Sequence, residues 1–180
     1  MRSGEAQSVV QVLKLLSKFE MGLFEFYRKA MDYWVLDGEF LVDFIQEEVL
    51  HAENLSQMAE LVTKNPEKFE RGRIVDTNSV TAAISGLRTH LARLGREELG
   101  KSEILSVSRE MENWVITFRY TELLRSNDPA YQKLVKEVAV QTEAHKRVLD
   151  KKVEELRRPK PSQSKASHPI ATTIRVMVAE

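Results

Sequence analysis

Residues 47–53 read EEVLHAE and place Glu48 and His51 one helical turn apart. On a helix, the residues that share a face with Glu48 are apolar, and they are Leu41, Phe44, Ala52 and Leu55. Glu47 lies at the border of this apolar stripe, whereas Glu53 lies on the polar flank and is expected in solvent. Glu48 and His51 therefore interrupt a face that should pack into the core, either as a hydrogen-bonded pair or as part of a ligand site.

Three other predicted helices carry polar residues on their apolar faces. Glu20 interrupts the stripe of the first helix, and Glu112 interrupts that of a later one. In the last helix the interruption consists of Gln141, Thr142 and His145. A buried carboxylate without a partner is costly or takes up a proton. Three glutamates and two histidines on the inner faces of four helices need a common partner, and a pair of metal ions, non-heme iron or manganese, supplies one.

Composition limits the classes of protein to which the chain can belong. Its 180 residues suffice for one domain, and its 27 basic residues balance 27 acidic ones, so no bulk charge attracts nucleic acid or an anionic membrane. The absence of cysteine excludes disulfides, thiolate metal sites and cysteine nucleophiles. No apolar run approaches the ~20 residues that span a bilayer, and the N-terminus does not resemble a secretory signal. We expect a soluble, cytoplasmic protein that binds neither nucleic acid nor membrane.

The chain is predicted to be all-α, because glycine and proline are scarce, at 7 and 5 residues, and apolar residues recur every three or four positions. Four long helices are expected at about 5–34, 37–64, 102–125 and 129–156. The roughly 38 residues between the second and the third exceed what a tight turn needs, and they are expected to contain a short extra helix that begins near Thr77. A four-helix bundle with one such long crossover is the ferritin-like arrangement.

The C-terminal residues differ from the rest in composition. We expect residues 1–157 to form the bundle and residues 158–180 to form a Pro/Ser-rich linker followed by an extended arm. Residues 171–180 read ATTIRVMVAE, in which β-branched residues alternate as they do in a strand. A solitary strand needs a partner for its backbone groups, so the arm predicts pairing with a second copy, in a homodimer or a larger homo-oligomer.

The pattern of one helix pair recurs in a second pair, and the two pairs would surround a central metal pair with two half-sites. The matched positions are Glu20 with Glu112, Glu48 with Thr142 and His51 with His145. The second half therefore lacks a glutamate. A register that uses Glu143 instead puts Lys146 in the place of the histidine. Helical phase keeps Glu143 outward unless a π-bulge rotates it inward.

Two motifs resemble those of the rubrerythrin-like branch of the ferritin superfamily. They are E-x-x-x-x-x-F-Y at Glu20–Tyr27 and E-E-x-x-H-A-E at 47–53, and the resemblance extends over about residues 8–156. It implies a four-helix bundle, a di-iron carboxylate centre and chemistry with oxygen or peroxide. By the match, the metal ligands are Glu20, Glu48, His51 and Glu112. Tyr27 is expected mainly to pack, with a hydrogen bond to the site as the alternative. The missing cysteines remove the rubredoxin module of full-length rubrerythrins, so electrons would come from an external donor.

Two functions remain open from the sequence. The first is a di-iron oxidoreductase of the peroxidase or ferroxidase type, with manganese or zinc as alternatives to iron, and its ligands are Glu20, Glu48, His51, Glu112 and His145. Glu112 would bridge toward the half-site of the first three, and the second metal position, which depends on His145, would be weak or absent. The other function is a metal-poor helical bundle that acts through its dimer surface or its C-terminal arm. His145 fits a core histidine as well as a ligand, and no catalytic residue is assigned.

Overall fold

The computed structural model describes residues 1–34, 38–74 and 76–157, and 84% of them are helical. Five α-helices lie in this part of the chain: α1 (Ser3–Ala30), α2 (Glu39–Lys64), α3 (Thr77–Gly95), α4 (Lys101–Phe118) and α5 (Pro129–Arg157). The prediction of an all-α protein is therefore confirmed. The proposed linker and arm at 158–180 lie outside the described residues, and so does any pairing that they make.

One hydrophobic core joins all five helices. Helix α1 packs against α2 and α3, α4 packs against α5, and α5 closes the arrangement against α2. The stripe predicted for α2 is buried along its whole length, from Leu41 to Val62, because its apolar side chains recur every three or four residues on one face. None of the described helices has both the length and the apolar content to cross a membrane.

Helix α3, which lies between α2 and α4 in the chain, has 19 residues, one more than α4, so the prediction of a short extra helix here is wrong in length. Its apolar stripe of Val80, Leu87 and Leu94 is buried, and the helix packs against α1. Gly22 permits this contact, because a Cβ atom there would lie 2.7 Å from Cδ2 of Leu87. Extended packing on a long neighbour, rather than propensity alone, sustains a helix of this length.

Helix α4 ends earlier than the predicted end near residue 125. Helix α4 stops at Phe118, where Arg119 adopts a left-handed conformation with φ of 53°, and a 3₁₀ turn over Tyr120–Glu122 follows. The next residues form strand β2 (Leu124–Ser126), which pairs antiparallel with strand β1 (Phe69–Arg71). A strand of three residues is too short to show an alternating pattern that distinguishes it from the end of a helix. Its hydrogen-bonding partner is also distant in the sequence, so no local pattern predicts the pairing.

Two other ends differ from the predictions. Helix α1 ends at Ala30 and continues as a 3₁₀ turn over Met31–Tyr33, rather than running as one helix to about Trp34. Leu156, which the apolar periodicity of the last helix places on its core-facing side, is 48% exposed. It lies in the last turn of α5, where the helical phase continues but the neighbouring helices no longer cover it.

We expect Gly72→Ala to lower the free energy of unfolding by about 1–3 kcal/mol, which is typical of overpacking. The amide of Gly72 donates to the carbonyl oxygen of Leu123 at 3.0 Å, and an added Cβ would lie 2.1 Å from the carbonyl oxygen of Glu122. In the matched control Gly86→Ala, on α3, the added Cβ meets no described atom within 4 Å. This control should gain about 0.5–1 kcal/mol from helix propensity. Urea unfolding of both variants measures these changes. If both substitutions changed the free energy of unfolding in the same direction, the close approach of residue 72 to the backbone of Glu122 would be contradicted.

Candidate metal centre

The structure buries all five residues predicted as ligands and draws them from four helices: Glu20 from α1, Glu48 and His51 from α2, Glu112 from α4 and His145 from α5. They form two groups that share Glu48. One group consists of Glu20, Glu48 and His51, and the other of Glu48, Glu112 and His145. Within each group one ligand atom per residue lies within 4.8 Å of the others. Donor atoms on one ion stand about 3–4 Å apart, so small side-chain shifts would let either group close on an ion.

The orientation of His51 is set by a chain of two polar side chains. Its Nε2 atom lies 3.1 Å from Oε1 of Gln141, and the amide of Gln141 donates from Nε2 to Oε1 of Glu47 at 3.5 Å. A carboxylate only accepts, so Gln141 turns its NH₂ group to Glu47 and its carbonyl to His51. His51 therefore carries a proton on Nε2 and directs Nδ1 toward Oε2 of Glu48, 3.0 Å away.

His145 is held by the same carboxylate. Its Nε2–H donates to Oε2 of Glu47 at 2.5 Å, and its ring stacks on Phe44 with centroids 4.1 Å apart. Its Nδ1 atom then faces Oε1 of Glu48 at 3.2 Å and Oε1 of Glu112 at 3.4 Å. Half-buried Glu47 thus orients both imidazoles. This role of Glu47 was not predicted from the sequence, although its position at the border of the apolar stripe, next to Glu48, is the signal that points to it.

Two buried atoms at the shared point of the site are not satisfied by hydrogen bonds within the described residues. They are Oε1 of Glu48 and Nδ1 of His145, which lie near one another without hydrogen-bond geometry. Unsatisfied buried polar atoms are rare in native proteins and need a physical explanation. Carboxylate oxygens and imidazole nitrogens are ligands of iron, manganese and zinc. An ion at this point would satisfy both atoms, so the residues present fit a metal.

Burial governs the protonation of the site in the absence of metal. It raises the pKa of Glu20 well above the ordinary value, helped by the charge of Glu48. Burial, together with Glu112, raises the pKa of Glu48 to about 7. Burial alone would lower the pKa of His145, but the nearby carboxylates of Glu112 and Glu48 favour the charged imidazolium, outweigh the burial and raise that pKa to about 11. Burial also lowers the pKa of His51. Without metal, protons therefore compensate part of the clustered negative charge.

Tyr27 is more than a packing residue. Its hydroxyl donates to Oε1 of Glu112 at 2.7 Å, while its ring lies 5.3 Å from that of Phe44 in an edge-on contact. Burial, reinforced by Glu112, raises the pKa of Tyr27 well above its ordinary value, so the hydroxyl keeps its proton. The expectation that Tyr27 mainly packs is incomplete, because the hydrogen bond to the site is made as well.

The position that the internal repeat marks for a missing glutamate offers no anionic ligand. Thr142 is buried, and its hydroxyl donates to the carbonyl oxygen of Val138 in its own helix at 2.9 Å. Helix α5 is regular throughout Pro129–Arg157, without a π-bulge, and it leaves Glu143 exposed. The outward orientation favoured by helical phase is therefore the observed one. Among the described residues, the two ligand groups together contain three glutamates rather than four.

Comparisons with protein-family models, with curated proteins and with solved structures found no match to this chain. What the site can do therefore has to be inferred from its own side chains.

We expect metal-free protein to lose stability as the pH rises from about 5 to 8. The pKa of Glu48 is about 7 in the folded chain against an ordinary value of 4.5, so the folded state holds this proton more tightly. The resulting stabilisation is complete below pH 4.5 and is lost as the pH rises through 7, with a maximum of about 3 kcal/mol. Glu48→Gln stays neutral and should lose less over this range.

Urea unfolding of the chelator-treated proteins at several pH values tests this expectation. Glu143→Gln, an exposed change on α5, is the matched control and should follow the natural protein at every pH. The measured quantity is the difference in unfolding free energy between Glu48→Gln and the natural chain. A difference that stays constant from pH 5 to 8 would show that Glu48 ionises without cost.

Proposed function

We propose that this chain is a rubrerythrin-like member of the ferritin-like superfamily whose long helices form a four-helix bundle around a di-iron carboxylate centre. The observation that carries the proposal is the pair of buried ligand groups joined at Glu48. The unsatisfied Glu48 and His145 atoms at that junction support it further. Resemblance alone suggested the family, whereas the side-chain geometry supplies an independent physical reason for a metal.

The ligands divide between two ions in this proposal. Glu20, Glu48 and His51 would hold one, and Glu48, Glu112 and His145 would hold the other. Glu48 is then the bridging carboxylate, whereas the sequence predicts a bridging role for Glu112. Together the two ions would have three carboxylate ligands, whose negative charge does not compensate the charge of two divalent ions. We therefore propose that one ion is held tightly and the other, on the side of Thr142, weakly.

The proposed activity is that of an oxidoreductase acting on peroxide or oxygen, or oxidising Fe(II). Bound iron would supply the change of oxidation state that the side chains of this chain cannot. The protein itself keeps the ligands dry, holds both imidazoles through Glu47 and secures Glu112 through Tyr27. Metal uptake must displace protons from Glu20, Glu48 and Nδ1 of His145, so binding should strengthen as the pH rises. With no cysteine in the chain, the electron donor would be external.

A second function has one observation in its favour. His145 lies between Glu47, Glu48 and Glu112 and can neutralise part of their charge as an imidazolium. Such a network could persist without metal in a bundle that acts through a protein surface. In that case the predicted arm at 158–180 and the homo-oligomer that it would form become the functional features. Both remain predictions.

We expect protein from iron-replete expression to contain about one tightly bound ion per chain, with a second that is lost on dialysis, because the charge of two ions exceeds that of three carboxylates. Elemental analysis before and after dialysis measures both. Glu48→Gln should lower the content of both ions, and Glu53→Gln, an exposed change on the same helix, should leave it unchanged. Metal-free protein would favour the structural alternative, and two equally tight ions would show the asymmetry to be wrong.

We expect Thr142→Glu to raise the metal content toward two ions per chain and to increase any peroxide- or oxygen-dependent turnover. The change supplies the carboxylate that the internal repeat lacks, at a position one turn before His145. Val140→Glu is the matched control, since it adds the same charge to an exposed position of α5. Isothermal titration with Fe(II) under anaerobic conditions compares the variants. Equal stoichiometry in Thr142→Glu and the natural chain would mean that position 142 does not face an ion.

A further inference from the structure

We propose that a small neutral oxidant reaches the centre through a cleft between α4 and α5 that ends at Thr142, so that the residue replacing the fourth glutamate also leaves the centre accessible. This inference rests on the proposed function, because it assigns a route to the same metal centre. It adds to that function by stating where the substrate enters and what limits its size.

The cleft runs from the surface into the interior. Its volume is about 140 Å³, enough for about four water molecules at roughly 30 Å³ each. Arg119, Thr121 and Glu143 line it and are exposed, so they mark its mouth. Val115 and Thr142 line it as well and are buried, so they form its inner end.

The inner end adjoins one of the two ligand groups. Val115 follows Glu112 by one turn of α4, and Thr142 precedes His145 by one turn of α5. Residues at this spacing on a helix have Cβ atoms about 5–6 Å apart. The cleft therefore ends one helical turn from Glu112 and from His145, the two residues that belong to the second group alone.

Thr142 determines how far the cleft can reach. A glutamate at this position would extend toward the second ion and fill the space, but threonine is shorter, and its hydroxyl is bound to Val138. A catalytic metal needs a coordination position that the protein leaves to water or substrate. The absence of a carboxylate at position 142 would thus weaken the binding of the second ion and leave it an open coordination position on the side of the cleft.

The cleft selects for size rather than charge. Arg119 at its mouth pairs with Glu122 at 3.3 Å, and the other charged lining residue is Glu143, so no unpaired cation among the described lining residues attracts an anionic substrate. Thr121 and Ala139 also line a wider cleft of about 480 Å³ that continues along α5. At about 140 Å³, the cleft that ends at Thr142 has room for hydrogen peroxide or dioxygen but not for a bulky organic hydroperoxide.

Nitric oxide tests the route, because it is small and neutral and gives an absorbance and EPR signal on binding to Fe(II). We would load the chain with Fe(II) anaerobically, determine the iron content and follow nitric oxide association by stopped flow. Ala139→Phe narrows the cleft, and Thr121→Trp covers its exposed mouth with less risk to folding. Val140→Phe, next to Ala139 but 57% exposed and outside the cleft, is the matched control.

With equal iron content, we expect association to slow roughly tenfold in Ala139→Phe, because a filled cleft must open before the probe passes. It should slow to a lesser extent in Thr121→Trp and match the natural protein in Val140→Phe. Unchanged rates in both cleft variants would overturn the route and leave the metal centre standing. If Ala139→Phe does not fold, Thr121→Trp decides. Failure of the natural chain to bind iron would overturn the proposed function and the route together.

Discussion

Glu48 has no exposed surface, and its two carboxylate oxygens face different histidines, His51 on its own helix and His145 on α5. Removing a carboxylate from water is costly unless a proton, an ion pair or a metal compensates it. The helices around Glu48 can therefore pack only if that compensation is present. The pKa of Glu48 near 7 follows from this burial, and the two imidazoles, which Glu47 and Gln141 hold by their Nε2 atoms, direct Nδ1 toward the buried carboxylate.

The same burial connects folding to the proposed chemistry. Protons stabilise the packed helices at low pH, and metal ions would do so at higher pH, because both bind the groups that are otherwise left charged in the interior. Glu47 contributes from the half-buried edge of the site, where it accepts hydrogen bonds from both His145 and Gln141. The buried residues would thus bind the ions in the proposed function, while the half-buried residue at the border orients the two imidazoles.

The order of the helices and the burial of Glu20, Glu48, His51, Glu112 and His145 could be predicted from the sequence, because helical periodicity is a local property. A residue's phase on its own helix decides whether it faces inward, whichever helix lies opposite. For the same reason Glu143 could be placed outside. The strand pair β1–β2 and the early end of α4 could not be predicted, because their stabilising bonds connect segments more than 50 residues apart.

What the sequence by itself determined is therefore a set of inward-facing polar residues on four helices, with threonine where the repeat expects a glutamate. Only the tertiary structure decided which residues of different helices meet. It made Glu48 the shared carboxylate, gave Glu47 both imidazoles to orient and brought the hydroxyl of Tyr27 to Glu112. These pairings depend on the axial offset and rotation of one helix against another, which side-chain packing sets across the whole core and which no local pattern records.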